Sequence, residues 1–142
     1  MSVARFLERL SSHGDNAALG GAHRNRSFRE ILLEVERHRK RLRQLGVTAG
    51  SVVALESDFS EGGATALLAL ATERGIAVPL TPRPDEAMES ALAASGAELQ
   101  LRCVAGEIER AGTRERIDHP LVEELRSQGR AGLVLLTSGS SG

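Results

Sequence analysis

Tryptophan and tyrosine are absent from this 142-residue chain, and only three phenylalanines occur. A core must therefore be aliphatic, built on Leu, Val, Ile and many Ala. Such residues suit close helix-on-sheet packing more than a large aromatic pocket. A single cysteine, Cys103, excludes an internal disulfide and any multi-cysteine zinc site, and that scarcity fits a reducing compartment. Neither sign of charge dominates: 18 Lys and Arg stand against 19 Asp and Glu, for a net charge of −1. No overall basic field exists to hold nucleic acid or an anionic membrane. Lysine itself is nearly absent, Lys40 being the only one; this arginine bias reads as compositional. No apolar run reaches membrane-spanning length, and Arg5, Glu8 and Arg9 break up the first ten residues, so no signal-peptide core is present. The expectation is a cytoplasmic chain without a membrane span. Its 41% hydrophobic and 26% charged residues fit one ordinary folded domain.

Periodicity then orders the chain. Val3, Phe6, Leu7 and Leu10 have helical spacing, and Ala17 to Arg26 reads as a small hairpin turning at Gly20-Gly21. Ser27-Phe28-Arg29-Glu30 is a capping box that should open a helix. Its inward face would carry Phe28, Ile31, Leu32, Val35, Leu42 and Leu45, and Gly46 supplies the stop. Ser51 to Leu55 reads as a buried strand. Ser60 caps the next helix, which ends at Gly75, and Ile76 to Leu80 is a second strand with Pro79 near its end. Asp85 caps a third helix that ends at Gly96, and Ala97 to Leu101 is a third strand. Arg102 to Ile108 suggests an irregular hairpin, Leu121 to Ser127 a short helix, and Leu133 to Leu136 a fourth strand.

Alternating helix and strand with short connections predicts an α/β fold: three layers, with a mainly parallel sheet between helices. The expected organisation is one α/β unit over 1–142. Within it, 1–26 forms a helix and hairpin, 27–101 the alternating units, 102–132 an irregular hairpin and short helix, and 133–142 a strand and loop.

Most chemistry-bearing residue types carry little signal. The dense basic run Arg37 to Arg43 lacks interleaved aromatics and reads as a solvated helix face, with Glu36 and Lys40 paired. His13, His23, His38 and His119 show no metal-ligand spacing and read as surface histidines. Cys103 reads as a buried structural thiol. Glu56 and Asp58 fall just past a strand's carboxyl end and read as a helix-entry loop, though open α/β sheets bind ligands at that edge.

The terminal six residues stand apart. Thr137, Ser138, Gly139, Ser140, Ser141 and Gly142 give four hydroxyls and two glycines directly after an apolar strand. Such a loop can wrap backbone amides and hydroxyls around phosphate oxygens. It is not a Walker A loop, since no Gly-Lys-Ser/Thr follows. Composition alone also allows a plain Gly/Ser tail.

In context, Leu133 to Gly142 (LVLLTSGSSG) closely resembles the phosphate-binding signature of the adenylate-forming superfamily. That superfamily includes acyl- and aryl-CoA ligases, luciferases and the adenylation domains of peptide synthetases. Upstream segments resemble it in the same order. Phe28 to Val47 looks like its early helix ending in L-G-V. Ala49 to Leu55 looks like its G-D-x-V-A-L strand, with Ser51 in place of the common Asp. Ala69 to Pro82 looks like its helix followed by G-A-x-x-V-P-L-x-P.

The resemblance implies that the six loop residues contact the ATP phosphates while a substrate carboxylate attacks the α-phosphorus. Mg²⁺ would share the charge, and CoA or a carrier-protein thiol would be a possible acceptor. The signature's Pro-Lys segment and the family's later catalytic elements have no counterpart here, so no catalytic residue is assigned. The implied reading is the N-terminal part of an AMP-forming ligase, inactive alone and able to self-associate through its last strand. The alternatives are a non-catalytic α/β interaction module and a small nucleotide-binding protein.

Overall fold

The computed structural model describes residues 2–20, 24–58 and 60–137. Helix α1, Val3–Ser11, is capped by the Ser2 hydroxyl. Strands β1, Ala17–Gly20, and β2, Asn25–Ser27, pair antiparallel. Helix α2, Phe28–Gln44, opens on the expected capping box: the Glu30 amide donates to Ser27 Oγ at 3.2 Å, and the Ser27 amide to Glu30 Oε2 at 2.9 Å. It ends in a Schellman motif, with Gly46 at φ +89° and the Val47 amide donating to the Leu42 carbonyl.

Three units follow: strand β3, Val52–Ser57, with helix α3, Glu61–Thr72; strand β4, Ile76–Leu80, with helix α4, Asp85–Ser95; and the hairpin of β5, Leu99–Val104, and β6, Glu107–Thr113. Helix α5, Pro120–Ser127, leads to β7, Gly132–Leu133. The five-stranded sheet has the order β6-β5-β3-β4-β7. β5, β3, β4 and β7 run parallel, and β6 runs antiparallel on one edge.

Period-two alternation splits the strands between two cores. Val53, Leu55, Ala77, Leu101 and Cys103 face α2 and α3, where Val35, Leu42, Ala66 and Leu70 meet them. Val52, Ala54, Ile76, Val78 and Leu80 face α4 and α5, against Met88, Leu92 and Val122. The chain is thus the expected three-layer α/β fold with an aliphatic core.

Several local expectations are corrected. The hairpin expected over Arg102 to Ile108 is longer, pairing Leu99–Val104 with Glu107–Thr113 with one register shift between Gln100 and Leu101; Ala105 and Gly106 both take positive φ (50° and 78°), as a two-residue turn matching strand twist requires. β5 starts and ends later than expected because its outer residues pair with β6. β7 forms ladder pairs only at Gly132 and Leu133, followed by a bond from the Val134 amide to the Ala77 carbonyl; Leu135 and Leu136 lie beyond the strand.

Helix α4 has Pro84 at its N-cap with no side-chain cap bond, so Asp85 is its first residue and does not cap it. Helix α3 reverses at Arg74 (φ +59°) and not at Gly75. Gly75 is packed closely instead: a Cβ there would stand 2.6 Å from Leu70 Cδ1, so the buried Leu70 would have to shift.

Candidate functional site at the carboxyl edge of the sheet

Crossovers on opposite faces define the site's location. The chain leaves β3 toward the α2 face, where α3 packs, and leaves β4 toward the other face, where α4 packs. Adjacent parallel strands whose connections diverge open a crevice at their carboxyl ends, the position where open α/β sheets bind ligands. β7 lies beside β4 on its far side and runs in the same direction. It therefore carries Leu135, Leu136 and Thr137 toward this same edge. Thr137 is exposed. Ser138, Gly139, Ser140, Ser141 and Gly142 lie outside the described residues.

The neighbouring groups at this edge are satisfied by the chain itself. Ser60 Oγ accepts from the Gly63 amide at 3.2 Å, and Asp58 Oδ1 accepts from the Ser60 amide at 3.1 Å. The entry to α3 is thus a self-capped turn, as its sequence suggests. Glu56 is different from the expected loop residue. It belongs to β3, is buried, and accepts from Arg102 Nε at 3.1 Å across the β3–β5 register. A buried carboxylate is tolerated there because its guanidinium partner is directly opposite.

The basic run is not a free cationic surface. Arg37 reaches Glu34 Oε1 at 2.6 Å and Glu107 Oε1 at 2.7 Å, and donates to the Gly106 carbonyl. Glu34 raises the Arg37 pKa, burial opposes this, and Glu107 adds to the rise. Arg39 and Arg43 both bind Glu73, and Arg41 Nε donates to the Ile108 carbonyl at 2.9 Å. Among the described residues, Glu36 pairs with Arg39 and not with Lys40.

His38 is fully buried, contrary to a surface reading. Its Nε2 lies 2.9 Å from the Gly106 carbonyl oxygen, tying α2 to the β5–β6 turn. The signal was present in the sequence, because Ile31, Val35, His38 and Leu42 form one helical stripe. His13 stacks on Phe28 with ring centroids 5.0 Å apart, and His119 Nδ1 caps α5 by accepting from the Leu121 amide. His23 lies outside the described residues. Cys103 is buried, and burial pushes its thiol pKa up, the direction of an unreactive structural thiol.

Among the described residues no group of three or more His, Cys, Asp or Glu side chains is arranged to hold a metal ion, and no helix is long and apolar enough to cross a membrane. Of the six loop residues, Thr137 alone is described; its hydroxyl and backbone amide are groups of the kind that suit phosphate oxygens.

Comparison with known proteins agrees with this geometry. No curated protein matches the chain. Among solved structures, the N-terminal subdomain of Klebsiella oxytoca NpsA in complex with 3-hydroxyanthranilyl-AMSN superposes with a TM-score of 0.74, at 20% identity over 99% of this chain and 38% of that one. NpsA-ThdA from Klebsiella oxytoca, an artificially fused adenylation–PCP di-domain, gives 0.73 at 20% identity, over 96% of this chain and 28% of that one. The anthranilate CoA ligase AuaEII in complex with anthranoyl-AMP gives 0.63 at 25% identity, over 72% of this chain and 20% of that one. The chain thus spans well under half the length of these structures. The family model described as AMP-binding enzyme matches residues 6–139, almost the whole sequence, and the chain belongs to that adenylate-forming family.

Proposed function

We propose that this chain forms the N-terminal, phosphate-gripping part of an AMP-forming ligase, with Thr137, Ser138, Gly139, Ser140, Ser141 and Gly142 as its ATP-phosphate loop. The observation that carries the reading is the course of β7. It lies parallel to β4 and heads for the carboxyl edge, one strand from the β3/β4 crevice, which supports a phosphate loop in the residues that follow it.

When bound, ATP supplies an electrophilic α-phosphorus. A substrate carboxylate oxygen forms a bond to it as the bond to the pyrophosphate oxygen breaks, giving an acyl-adenylate and pyrophosphate. The loop's amides and hydroxyls hold the β- and γ-phosphates in line and stabilise the charge that builds on the leaving group. Glycines at 139 and 142 let the backbone approach the phosphates closely. The donor set fits phosphate better than metal, so Mg²⁺ would be held chiefly through the phosphates. Transfer of the acyl group to CoA or a carrier-protein thiol is the second step of this proposal. The fused carrier domain of one structural relative and the CoA-ligase activity of another support it by analogy.

The acid pocket, the adenine and ribose contacts and the catalytic lysine would come from sequence beyond these residues, so the chain alone is inactive. The single α/β unit over 1–142 would dock in the cytoplasm against the remainder of the enzyme. Its β7 edge, bearing exposed Leu133 and Leu135, would self-associate when nothing covers it. ATP–pyrophosphate exchange, scanned over carboxylic acids, tests the reading. The isolated chain should give no exchange, and a longer protein carrying this sequence should give acid-dependent exchange that Ser138→Ala with Ser141→Ala reduces. Exchange by the isolated chain, or none by the longer protein with any acid, contradicts it.

A further inference from the structure

We propose that the cavity beneath α1 is a binding site for a single-chain amphiphile with one anionic head, of the medium-chain carboxylate class. The cavity measures about 800 Å³ and lies between α1, the α2–α3 layer and residues 129–131, a size typical of small-ligand sites. It flanks the amino edge of the sheet, away from Thr137, and does not depend on the nucleotide reading.

Three observations converge. The first is apolar surface that the protein does not close over. No residue of α1 is buried; Val3 and Leu7 line the cavity half-buried, opposite half-buried Leu32 and buried Val35. An alkyl chain laid there would remove apolar area from water that folding leaves exposed.

The second is charge. Of the guanidiniums on the wall, Arg39 is taken up by Glu36 and Glu73. Among the described residues Arg74 and Arg130 meet no carboxylate, and Arg130 Nη1 donates only to the neutral Gln128 amide oxygen at 3.3 Å. Arg74 Nη1 lies 3.9 Å from the Cβ position of Gly129, on the cavity wall. The lining holds two acids, Glu8 and Glu36, and Glu36 is bound to Arg39. A bound carboxylate would give Arg74 the counter-charge it lacks among the described residues, and a guanidinium can grip it through two parallel hydrogen bonds.

The third is backbone. Arg74 occupies the left-handed region, φ +59°, at the helix-ending position that glycine usually fills. The fold thus keeps a long cationic side chain where glycine would relax the backbone, and strain of this kind is often retained for function.

Isothermal titration of the 142-residue chain with sodium decanoate, below its micelle concentration, tests the site. Saturable binding with one ligand per chain is expected, at least tenfold weaker in R74Q/R130Q. Acetate, which lacks the tail, and 1-decanol, which lacks the charge, should each bind at least tenfold more weakly. Arg74→Gly separates binding from folding: it should raise the Tm by relaxing the backbone and still weaken decanoate binding. The proposal is overturned by an absence of saturable binding, by unchanged affinity in R74G or R74Q/R130Q, or by 1-decanol binding as tightly as decanoate. It is also overturned if phosphatidylglycerol vesicles bind and free decanoate does not, since the surface would then recognise a membrane.

Discussion

Gly62, in the first turn of α3, lies directly against Gly106 in the β5–β6 turn: a Cβ on Gly62 would stand 2.9 Å from the Gly106 Cα. Backbone meets backbone here, so neither partner can rotate away. The contact seats the β5–β6 hairpin on the N-terminal end of α3, at the edge of the sheet that carries the candidate site. Gly62→Ala should destabilise the chain by about 1–2 kcal/mol, the overpacking cost exceeding the helix-propensity gain of up to about 1 kcal/mol. Gly20→Ala is the control, since its added Cβ would meet only Asn25 Oδ1 at an ordinary 3.6 Å. Urea unfolding of the two variants should separate them. Equal midpoints would show that the Gly62 contact does not constrain the fold.

Glu73 ties α3 to α2 through Arg39 at 2.7 Å and Arg43 at 2.6 Å. The Arg43 hydrogen bond is the largest influence and lowers the Glu73 pKa; burial opposes it, and Arg39 adds to the lowering. The folded value therefore lies below the unfolded 4.5. For a carboxylate depressed in this way, the stabilisation is complete above the unfolded value and is lost as pH falls through the folded value. Glu73→Gln should lower stability at pH 7 and flatten the acid limb of the stability profile below about pH 4.5. Chemical denaturation at a series of pH values reads both effects. A parallel offset between wild type and variant at every pH would contradict the linkage.

The run from Ala131 to Thr137 contains no charge and no proline, the usual protections of an edge strand. Leu133, Leu135 and Leu136 are 55%, 65% and 38% exposed. The 142-residue chain should therefore associate as its concentration rises, and Leu133→Lys with Leu135→Lys should suppress this without lowering the Tm by more than a few degrees. Light scattering over a concentration series checks it; a wild-type chain that stays monomeric at high concentration would count against an open β7 edge.

The alternation of apolar residues was enough to read the layers, the parallel order and most helix ends, because each depends on local pattern. Ser27 with Glu30, Ser60 and Gly46 act as their chemistry suggests. What the sequence concealed depends on contacts across the fold. The turn at Ala105-Gly106 is hidden because alanine is a poor marker of positive φ, and only pairing with β6 enforces it. Arg74, not Gly75, takes the left-handed position, which glycine usually marks in a sequence. His38 reads as a surface histidine when only metal-ligand spacing is considered, yet it falls on the Ile31–Val35–Leu42 stripe that is buried. At the candidate site, the loop's composition was legible at once. The direction of β7, parallel to β4 and toward the carboxyl edge, is a long-range fact that no local pattern contains.

The most direct test of the nucleotide reading is an amide-resolved NMR titration of the chain with Mg·ATP. The account predicts saturable shifts at Thr137, Gly139 and Gly142 and at the carboxyl ends of β3 and β4, with Gly50 and Arg74 at the amino edge unmoved. Saturable shifts centred on the amino edge, or none at the terminal loop at any nucleotide concentration, would contradict it.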